Sequence, residues 1–522
     1  DEGNTFVASL GRLQHDHAIA KGVLWDMAKM SRAYRVLSLT AIATFLVSLD
    51  LSIVVVARGE IEDTFGHDQA NVLAWVFSAY SIAYAAGLLT AGRFADVFGR
   101  KRAFLRGLTI FSIGSVLCGF APTAWMLVLA RVIQAIGGAQ LTPASIALVL
   151  PEFPVEKRTQ AIAIWGSVGG LAAAIGPSAG GVLVDWWGWR SLFFINVPFC
   201  VFTVLMGRKI LRESKDENAQ RKVDYPSVLF GFSGVALVVL AISQSEEWGF
   251  VDIRSGIAFV IGLMLIGGFI RRCQVVESPL LDLSLFKLPF VVASNLSGVL
   301  FSVGFIGMWL LNTTWLQQVW DYSVVRSGLA TFPGPAMAAL VAPFAGKYAT
   351  KLGHARVLFV GAVMLSFGTF MLANFMTTDP EYVAHYLPWM LVTGIGVGLS
   401  ISTLSSSATA FLPPSEFAMG SALNTTTRQI GTALGSAIAL TVAAPAFKQI
   451  YELGIRAADA AATGSPLVWT EETAKLDLSA YHTAWIINGV VYLSAGILMI
   501  LIYRKPTNAQ MISAGSKITF EE

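Results

Sequence analysis

The chain has 522 residues, of which 55% are hydrophobic and 13% are charged, and its mean hydropathy is +0.64. Because soluble domains carry roughly a quarter charged residues, this composition excludes an ordinary soluble protein and predicts that lipid surrounds most of the chain. The net charge of +3 excludes the strongly basic surface of a nucleic-acid-binding protein. The three cysteines have neither disulfide-framework nor metal-ligand spacing, so no metal site is expected.

Apolar runs follow one another along the chain after residue 35. Each has about 20 residues, enough to cross roughly 30 Å of hydrocarbon as a helix. We therefore predict an all-α integral membrane protein with spans at 36–57, 73–92, 103–121, 124–149, 160–184, 191–211, 226–245, 255–271, 290–312, 326–346, 356–376, 386–411, 419–444 and 482–503. An even count of fourteen spans places both chain ends on one side of the membrane. Residues 445–481 are expected to form an external loop.

The loops between the predicted spans alternate in charge. One set is basic and contains Arg100, Lys101, Arg102, Lys157, Arg158, Arg208, Lys209, Arg271, Arg272, Lys347 and Lys351. The other set is acidic and contains Glu60, Glu62, Asp63, Glu246, Glu247, Asp379 and Glu381. Because basic loops stay in the cytoplasm, we expect the N-terminal segment 1–35 and the tail 504–522 to be cytoplasmic.

An internal repeat divides the chain. The segment AGRFADVFGRKRAFLRG at 91–107 matches AGKYATKLGHARVLFVG at 345–361 at six identical positions. The match predicts two six-helix bundles, at 36–212 and 290–503, separated by linkers and two inserted helices at 213–289. Transporters built from such repeats bind substrate near the bilayer midplane, between the repeats.

Two charged residues fall inside predicted spans. Asp50 lies in FLVSLDLSIVVV, where an uncompensated carboxylate is costly, so we expect it to be protonated or to face water. Alternating wet and dry exposure would let it take up and release a proton, although a structural hydrogen bond is the alternative. Arg131 stays charged, and we expect it to tune a nearby acid or form part of a gate, with pairing to a backbone carbonyl as the alternative.

The loop after the second span reads GRFADVFGRKR, in which Asp96 is an acid among basic residues. An isolated acid of this kind is usually a solvated charge that balances its neighbours. Gly92 and Gly99 allow close helix approach and a tight turn. In the fifth span, Gly166, Gly170 and Ala174 place a small residue at every fourth position, which predicts tight packing.

This loop resembles the cytoplasmic signature of the major facilitator superfamily, Gly-x-x-x-Asp-x-x-Gly-Arg-Lys. The resemblance covers roughly residues 36–503: RVIQAIGGA, from Arg131, is similar to the second motif, and IGPSAGG resembles the antiporter motif. WGWRSLFFINVP and NTTTRQIGTALG look like the fourteen-span drug:proton antiporter branch. The chain departs from that branch after Asp50, where Val55, Ala57, Arg58 and Gly59 replace its Asn-x-Ala-Leu-Pro; Arg58 is expected to cap the external end.

The resemblance implies roles for individual residues. The conformational motif would be Gly92, Asp96, Gly99, Arg100 and Lys101, and the antiporter motif Gly176, Pro177, Gly180 and Gly181. Asp96 should lie near the start of a helix of the other half that opens at 415–420, where the helix dipole favours a carboxylate.

Polar and aromatic residues within the spans are candidates for a substrate cavity. They are Tyr80, Tyr84, Gln134, Asn312, Trp315, Asn424 and Arg428. Aromatic residues near span ends are more often anchors at the lipid interface, which is the alternative for Trp315.

We expect a transporter rather than an enzyme, because the sequence has no nucleotide-binding loop, zinc spacing or hydrolase elbow. An ion gradient then remains as the energy source, with no cofactor. The expected function is proton-coupled export of amphipathic molecules such as drugs, including cations that bind Asp50, by a monomer in a bacterial plasma membrane. The expected partners are the substrate and membrane lipids. The alternatives are export or flipping of an endogenous lipid, siderophore or antibiotic, and a membrane receptor or scaffold without transport.

Overall fold

The structure, a computed structural model, describes residues 30–66, 70–214, 224–244, 252–276, 279–413, 416–463 and 476–507. All of the regular structure in these residues is helical. Every predicted span coincides with a helix, because each is long and apolar enough to satisfy its backbone hydrogen bonds internally. Twelve of the helices in this part of the chain meet the length and composition needed to cross a membrane. The count of fourteen spans and the cytoplasmic position of both termini stay predictions.

The helices fall into three sets along the chain. The first half comprises α1 (Arg32–Ile53), α2 (Arg58–Phe65), α3 (Ala70–Phe98), α4 (Arg100–Gly119), α5 (Ala124–Val149), α6 (Val155–Trp187), α7 (Ser191–Phe194) and α8 (Asn196–Ile210). The inserted pair is α9 (Tyr225–Ser243) and α10 (Ile253–Val275). The second half comprises α11 (Pro289–Thr314), α12 (Val324–Thr331), α13 (Pro333–Leu352), α14 (His354–Phe375), α15 (Leu387–Ser407), α16 (Phe417–Thr463) and α17 (Ser479–Ile502).

Two span boundaries differ from the sequence expectation. The external loop expected at 445–481 is wrong over its first part, since α16 continues to Thr463. The residues after Pro445 include many alanines together with Glu452, Leu453 and Arg456, all of which are strong helix formers, and they extend the helix past the apolar run. The first span, expected to reach residue 57, leaves α-helical geometry after Ile53 and finishes as a 3-10 turn, Val54–Ala57.

Glycines bring the helices of each half into close contact. In the first half, a Cβ on Gly137 of α5 would lie 2.4 Å from the Phe111 nitrogen of α4. In the second half, a Cβ on Gly435 of α16 would lie 2.3 Å from the Val303 oxygen of α11. Contacts this short leave room for hydrogen only, which is how membrane helices gain packing energy without a hydrophobic driving force between them. The two inserted helices pack together, and α9 also packs against α3 and α16.

The internal repeat has equivalent geometry in both halves. Gly99 and Gly353, which align in the repeat, have φ angles of +108° and +91°. Each directly precedes a helix, α4 or α14. An L-residue with a side chain rarely adopts this conformation, so both glycines serve the same sharp turn between two helices.

The two halves meet at the end of the bundle that carries these turns, which we call the basic end. A Cβ on Gly92 would lie 2.7 Å from the Ala422 Cβ and 3.1 Å from the Ala418 oxygen of α16. A Cβ on Gly346, the aligned position, would lie 2.8 Å from the Gln160 Cα of α6. Each repeat therefore places its glycine directly against a helix of the opposite half, and the two contacts close the basic end.

Candidate functional site

The carboxylate of Asp50 lies inside the first half, near the end of α1, and is surrounded by hydrogen-bond donors. One oxygen accepts a hydrogen bond from Nη1 of Arg131. The other accepts from Nε2 of Gln134 at 2.7 Å and from Nδ2 of Asn196 at 3.2 Å. Helices α1, α5 and α8 thus converge on one acid.

The guanidinium of Arg131 has partners on its other faces as well. Its Nε donates to the Val76 carbonyl at 3.2 Å, and Nη1 also donates to Oε1 of Gln134 at 2.8 Å. Its carbon lies 4.1 Å from the centre of the Tyr80 ring, a cation–π contact. Arg131 therefore has both of the arrangements considered from sequence, an acid partner and a backbone carbonyl.

Asp50 is 0% exposed and the Arg131 side chain 2% exposed. The expectation of a water-facing Asp50 is wrong in this conformation, because the carboxylate is enclosed and contacts Arg131. A buried pair of this kind is strongly destabilised when either partner loses its charge, since the other is left uncompensated in a low-dielectric interior.

Sequence analysis missed two members of this cluster. Asn196 binds Asp50, and Ser115 accepts a hydrogen bond from Gln134 Nε2 at 2.8 Å. Both are polar residues within apolar segments, and Asn196 belongs to the quoted stretch WGWRSLFFINVP. That polarity was the available signal, but sequence did not show that four helices bring these side chains together.

The loop motif is held by its own charges and by Glu213, which follows α8. Arg100 Nη2 lies 3.0 Å from Asp96, and both side chains are buried. The Glu213 carboxylate accepts from the backbone nitrogens of Lys101 at 3.1 Å and Arg102 at 3.2 Å, at the N-terminus of α4. This position suits an anion, since the first N–H groups of a helix are unpaired and its dipole is positive there.

The remaining expectations for the loop concern Lys101 and the opposite half. Lys101 Nζ donates to the Arg208 carbonyl at 2.8 Å and so joins the loop to α8. The helix expected to open at 415–420 begins at Phe417, and Ser415 lies outside the described residues. Gly92, one turn before Asp96, touches this helix. The contact of Asp96 with the helix start stays a prediction.

The antiporter motif packs α6 against α1. A Cβ on Gly176 would lie 1.9 Å from Ser52 Oγ, and one on Gly180 would lie 2.7 Å from Ile53 Cγ1. Gly181 is buried, and α6 runs as one helix through Pro177. These contacts come directly after Asp50 in α1, so the motif fixes the helix segment that carries the acid.

The close packing expected at Gly166 and Gly170 is wrong. A Cβ on Gly170 would meet nothing within 4 Å, and one on Gly166 would only approach Ser405 Oγ of α15 at 4.0 Å. These positions therefore border open space between the halves. The contacts of α6 with α1 instead use the face that bears Gly176 and Gly180.

The candidate cavity residues occupy three different places. Tyr80 and Gln134 belong to the ion-pair cluster, while the Tyr84 hydroxyl bonds Thr142 at 2.8 Å. Asn312 accepts from Nε1 of Trp485 at 2.9 Å.

Trp315 is 0% exposed and packs on Tyr481 and Trp485 with ring centres 5.2 and 5.1 Å away. It is therefore not a lipid-interface anchor. Asn424 and Arg428 lie on α16 beside Gly298 of α11.

Comparisons with known proteins agree with this architecture. The family model described as the Major Facilitator Superfamily matches residues 40–436. The chain is 30% identical over 406 residues to the multidrug resistance protein B homolog of Mycobacterium tuberculosis, covering 77% of this chain and 75% of that protein. It is 32% identical to the puromycin resistance protein pur8 of Streptomyces alboniger, covering 77% and 80%. The multidrug efflux pump LfrA of Mycolicibacterium smegmatis is 29% identical, covering 79% and 81%.

Solved structures share the fold at low sequence identity. The human organic anion transporter MFSD10 superposes with a TM-score of 0.60 at 13% identity, covering 90% of this chain and 100% of that chain. The proton:xylose symporter XylE superposes with a TM-score of 0.59 at 13% identity, covering 90% and 96%. The recurrence of one turn geometry in both halves, the loop motif and the family match together show that this chain belongs to the major facilitator superfamily.

Proposed function

We propose that this protein is a proton-coupled exporter of small amphipathic molecules that works by alternating access. The observation that carries the proposal is the buried pair of Asp50 and Arg131, held between α1 and α5. A charged pair inside a membrane helix bundle is costly and marks an ion pathway or a proton relay more often than a structural contact. Several relatives are named as multidrug resistance or efflux proteins, which supports drugs as substrates.

Proton binding at Asp50 would have a direct mechanical consequence. A protonated Asp50 no longer offers Arg131 a charge, so the guanidinium would keep Gln134, the Val76 carbonyl and the rings of Tyr80 and Phe193, none of which is an anion. The antiporter motif packs directly against the end of α1. Loss of the ion pair would therefore loosen α1 against α5 and α6, and this change would open one side of the bundle.

The energy source and the cellular location are part of the same proposal. The proton gradient would drive export without a cofactor, and the protein would work as a monomer in a bacterial plasma membrane. Its partners would be the substrate and the surrounding lipids, with no nucleic acid. The close contacts of Gly92 and Gly346 with the opposite half lie at the basic end, and alternating access would have to open these contacts.

A second candidate is export of an antibiotic that the cell itself makes. The chain is 30% identical to the cephamycin export protein CmcT of Amycolatopsis lactamdurans and 28% identical to the tetracenomycin C resistance and export protein of Streptomyces glaucescens. The two candidates share a mechanism and differ in the source of the substrate. Accumulation of a secreted metabolite inside a deletion strain would favour the second.

The test is efflux of a fluorescent amphipathic dye from proteoliposomes under an imposed pH gradient. Wild-type protein should export the dye and stop when the gradient is collapsed. Asp50→Asn should lower gradient-driven export at least roughly tenfold, because its side chain cannot bind and release a proton, while counterflow of dye without a gradient continues. Asp185→Asn, at the far end of α6, is the matched control and should keep wild-type rates. Export by Asp50→Asn that still follows the gradient would exclude Asp50 as the coupling acid.

A further inference from the structure

Arg428, in the membrane part of α16, is a cation without an acid partner among the residues that the structure describes. It is the only charged residue between Phe417 and Phe447. Its side chain is half-buried, and Nε has no hydrogen-bond partner. Within the described residues Arg428 takes part in no ion pair. Because arginine keeps its charge in proteins, this guanidinium is an uncompensated cation inside the helix bundle.

Asn424 lies one turn earlier on the same face of α16. Its side chain is 4% exposed, and its Nδ2 has no acceptor among the described residues. A Cβ on Gly298 of α11 would lie 3.2 Å from Arg428 Cγ and 3.5 Å from Asn424 Nδ2. Gly298 therefore lets α11 approach both side chains closely. Neither Arg428 Nε nor Asn424 Nδ2 has an acceptor among the described residues, so a ligand that binds both must offer acceptors.

Asp50, the buried acid of the opposite half, does not neutralise Arg428. Asp50 is the one acid in α1, and its carboxylate oxygens are already occupied by Arg131, Gln134 and Asn196. Tyr84 of α3 is a phenol that is hydrogen-bonded to Thr142, so it supplies no negative charge either.

In the second half, no acid lies on a membrane stretch beside Arg428. Helices α11, α13, α14, α15 and α17 contain no aspartate or glutamate. The acids from residue 289 to residue 503 are Asp321, Asp379, Glu381, Glu416, Glu452, Asp459, Glu471, Glu472 and Asp477. None is on the membrane stretch of a helix that packs beside Arg428. A cation at membrane depth without such a partner is expensive and usually marks a ligand or ion pathway.

We propose that Arg428 and Asn424 bind the acidic group of the substrate, so that the molecules exported are amphipathic anions such as carboxylates. The inference rests on the proposed exporter function and deepens it by naming the substrate class. It replaces the sequence expectation of a cation bound at Asp50, because Arg131 already neutralises that acid. A carboxylate beside Arg428 and Asn424 on α16 would supply both the missing charge and the missing acceptors, and charge-assisted hydrogen bonds are the stronger ones.

The test uses three probes with one apolar body: naphthaleneacetate, naphthaleneethanol and naphthalenemethylammonium. Their binding to purified wild-type protein in detergent is measured by calorimetry, and transport of the two charged probes is measured in everted vesicles with a proton gradient. Hydrogen bonds to charged groups contribute about 1.5–3 kcal/mol, and each 1.4 kcal/mol is tenfold in affinity. The acetate should therefore bind roughly tenfold or more tightly than the ammonium.

Variants then assign this preference to the guanidinium. Arg428→Gln should lose at least roughly tenfold of the acetate affinity and leave the neutral alcohol within about twofold, whereas Arg428→Lys should retain part of the preference for the anion. Arg326→Gln, at an exposed arginine of α12, is the matched control and should change neither. Ammonium bound by wild type as tightly as acetate, or an unchanged acetate affinity in Arg428→Gln, would overturn the proposal. Tight acetate binding without any gradient-driven transport would instead contradict the exporter function and leave the anion site standing.

Discussion

At the scale of single residues, the proposed coupling depends on how firmly one carboxylate is held. Asp50 receives hydrogen bonds from Arg131, Gln134 and Asn196. These three donors come from two helices, α5 and α8, and together they hold the carboxylate in place beside Arg131.

Asn196→Ala tests how much a single donor contributes, because it removes one hydrogen bond to Asp50 without altering the residues of the ion pair. It removes one donor from the carboxylate, at 3.2 Å, and leaves Arg131 and Gln134 in place. Because one hydrogen bond to the carboxylate is lost, at a net cost of about 1 kcal/mol, the pair is held less firmly and the rate of export should fall severalfold. The measurement is the rate of dye export from proteoliposomes under the imposed gradient. Asn488→Ala, a buried asparagine of α17, is the control, and an equal loss there would mean that the change at Asn196 is not specific.

At the scale of elements, sequence located the helices and missed most of their contacts. Length and apolar composition are local properties, so every predicted span coincides with a helix. The site depends on pairings between distant residues: Asp50 and Arg131 are 81 positions apart, and Asp50 and Asn196 are 146 apart. Their polarity made Asp50, Arg131 and Gln134 candidate site residues from sequence alone. Without the packing of the helices, sequence could not show that these three residues form one cluster. It also could not show that aromatic rings enclose Trp315.

The inserted pair illustrates a contact that sequence did not suggest. Asp224 caps the N-terminus of α9 by accepting from Ser227 N at 3.3 Å, and it binds Arg272 of α10 through Nε at 2.8 Å and Nη2 at 2.7 Å. The hydrogen bond from Arg272 lowers the pKa of Asp224 to about 2. A lowered pKa in the folded state means that the pair stabilises the fold above pH 3.8 and that this contribution is lost as the pH falls toward 2.

Asp224→Asn should therefore destabilise the protein at neutral pH and matter less in acid. Asparagine still caps a helix, so only the ion pair is lost. Because Arg272 is 40% exposed, solvent screens the pair, and we expect a decrease in Tm on the order of 1 °C. The difference from wild type, measured by thermal unfolding in detergent, should stay constant from pH 7 to pH 4 and shrink below pH 4. Asp252→Asn, which alters the cap of α10 at Arg254 N, should cost less; an equal loss would assign the effect to capping.

At the scale of the whole molecule, two glycines at aligned repeat positions decide whether the basic end can close. Gly92 packs against Ala418 and Ala422, and Gly346 packs against Gln160 and Ala163. A Cβ on Gly346 would lie 3.0 Å from the Ala163 Cβ. The atoms that meet a Cβ here are backbone atoms and alanine Cβ atoms, none of which can rotate away. A single methyl group must therefore separate whole helices, so one residue in each half controls a contact between the halves.

Gly92→Ala and Gly346→Ala should shift the population toward molecules that are open at the basic end and should slow export. Overpacking at such sites typically costs about 1–3 kcal/mol, enough to change the ratio of two conformers severalfold or more. The distance between spin labels at Lys157 and Lys351, both exposed, reports the opening. Each single variant should populate longer distances, and the double variant should do so further, because both contacts hold the same closure. Gly267→Ala, where a Cβ meets nothing within 4 Å, should leave the distances unchanged. If all four proteins give the wild-type distribution, the glycine contacts do not hold the basic end closed.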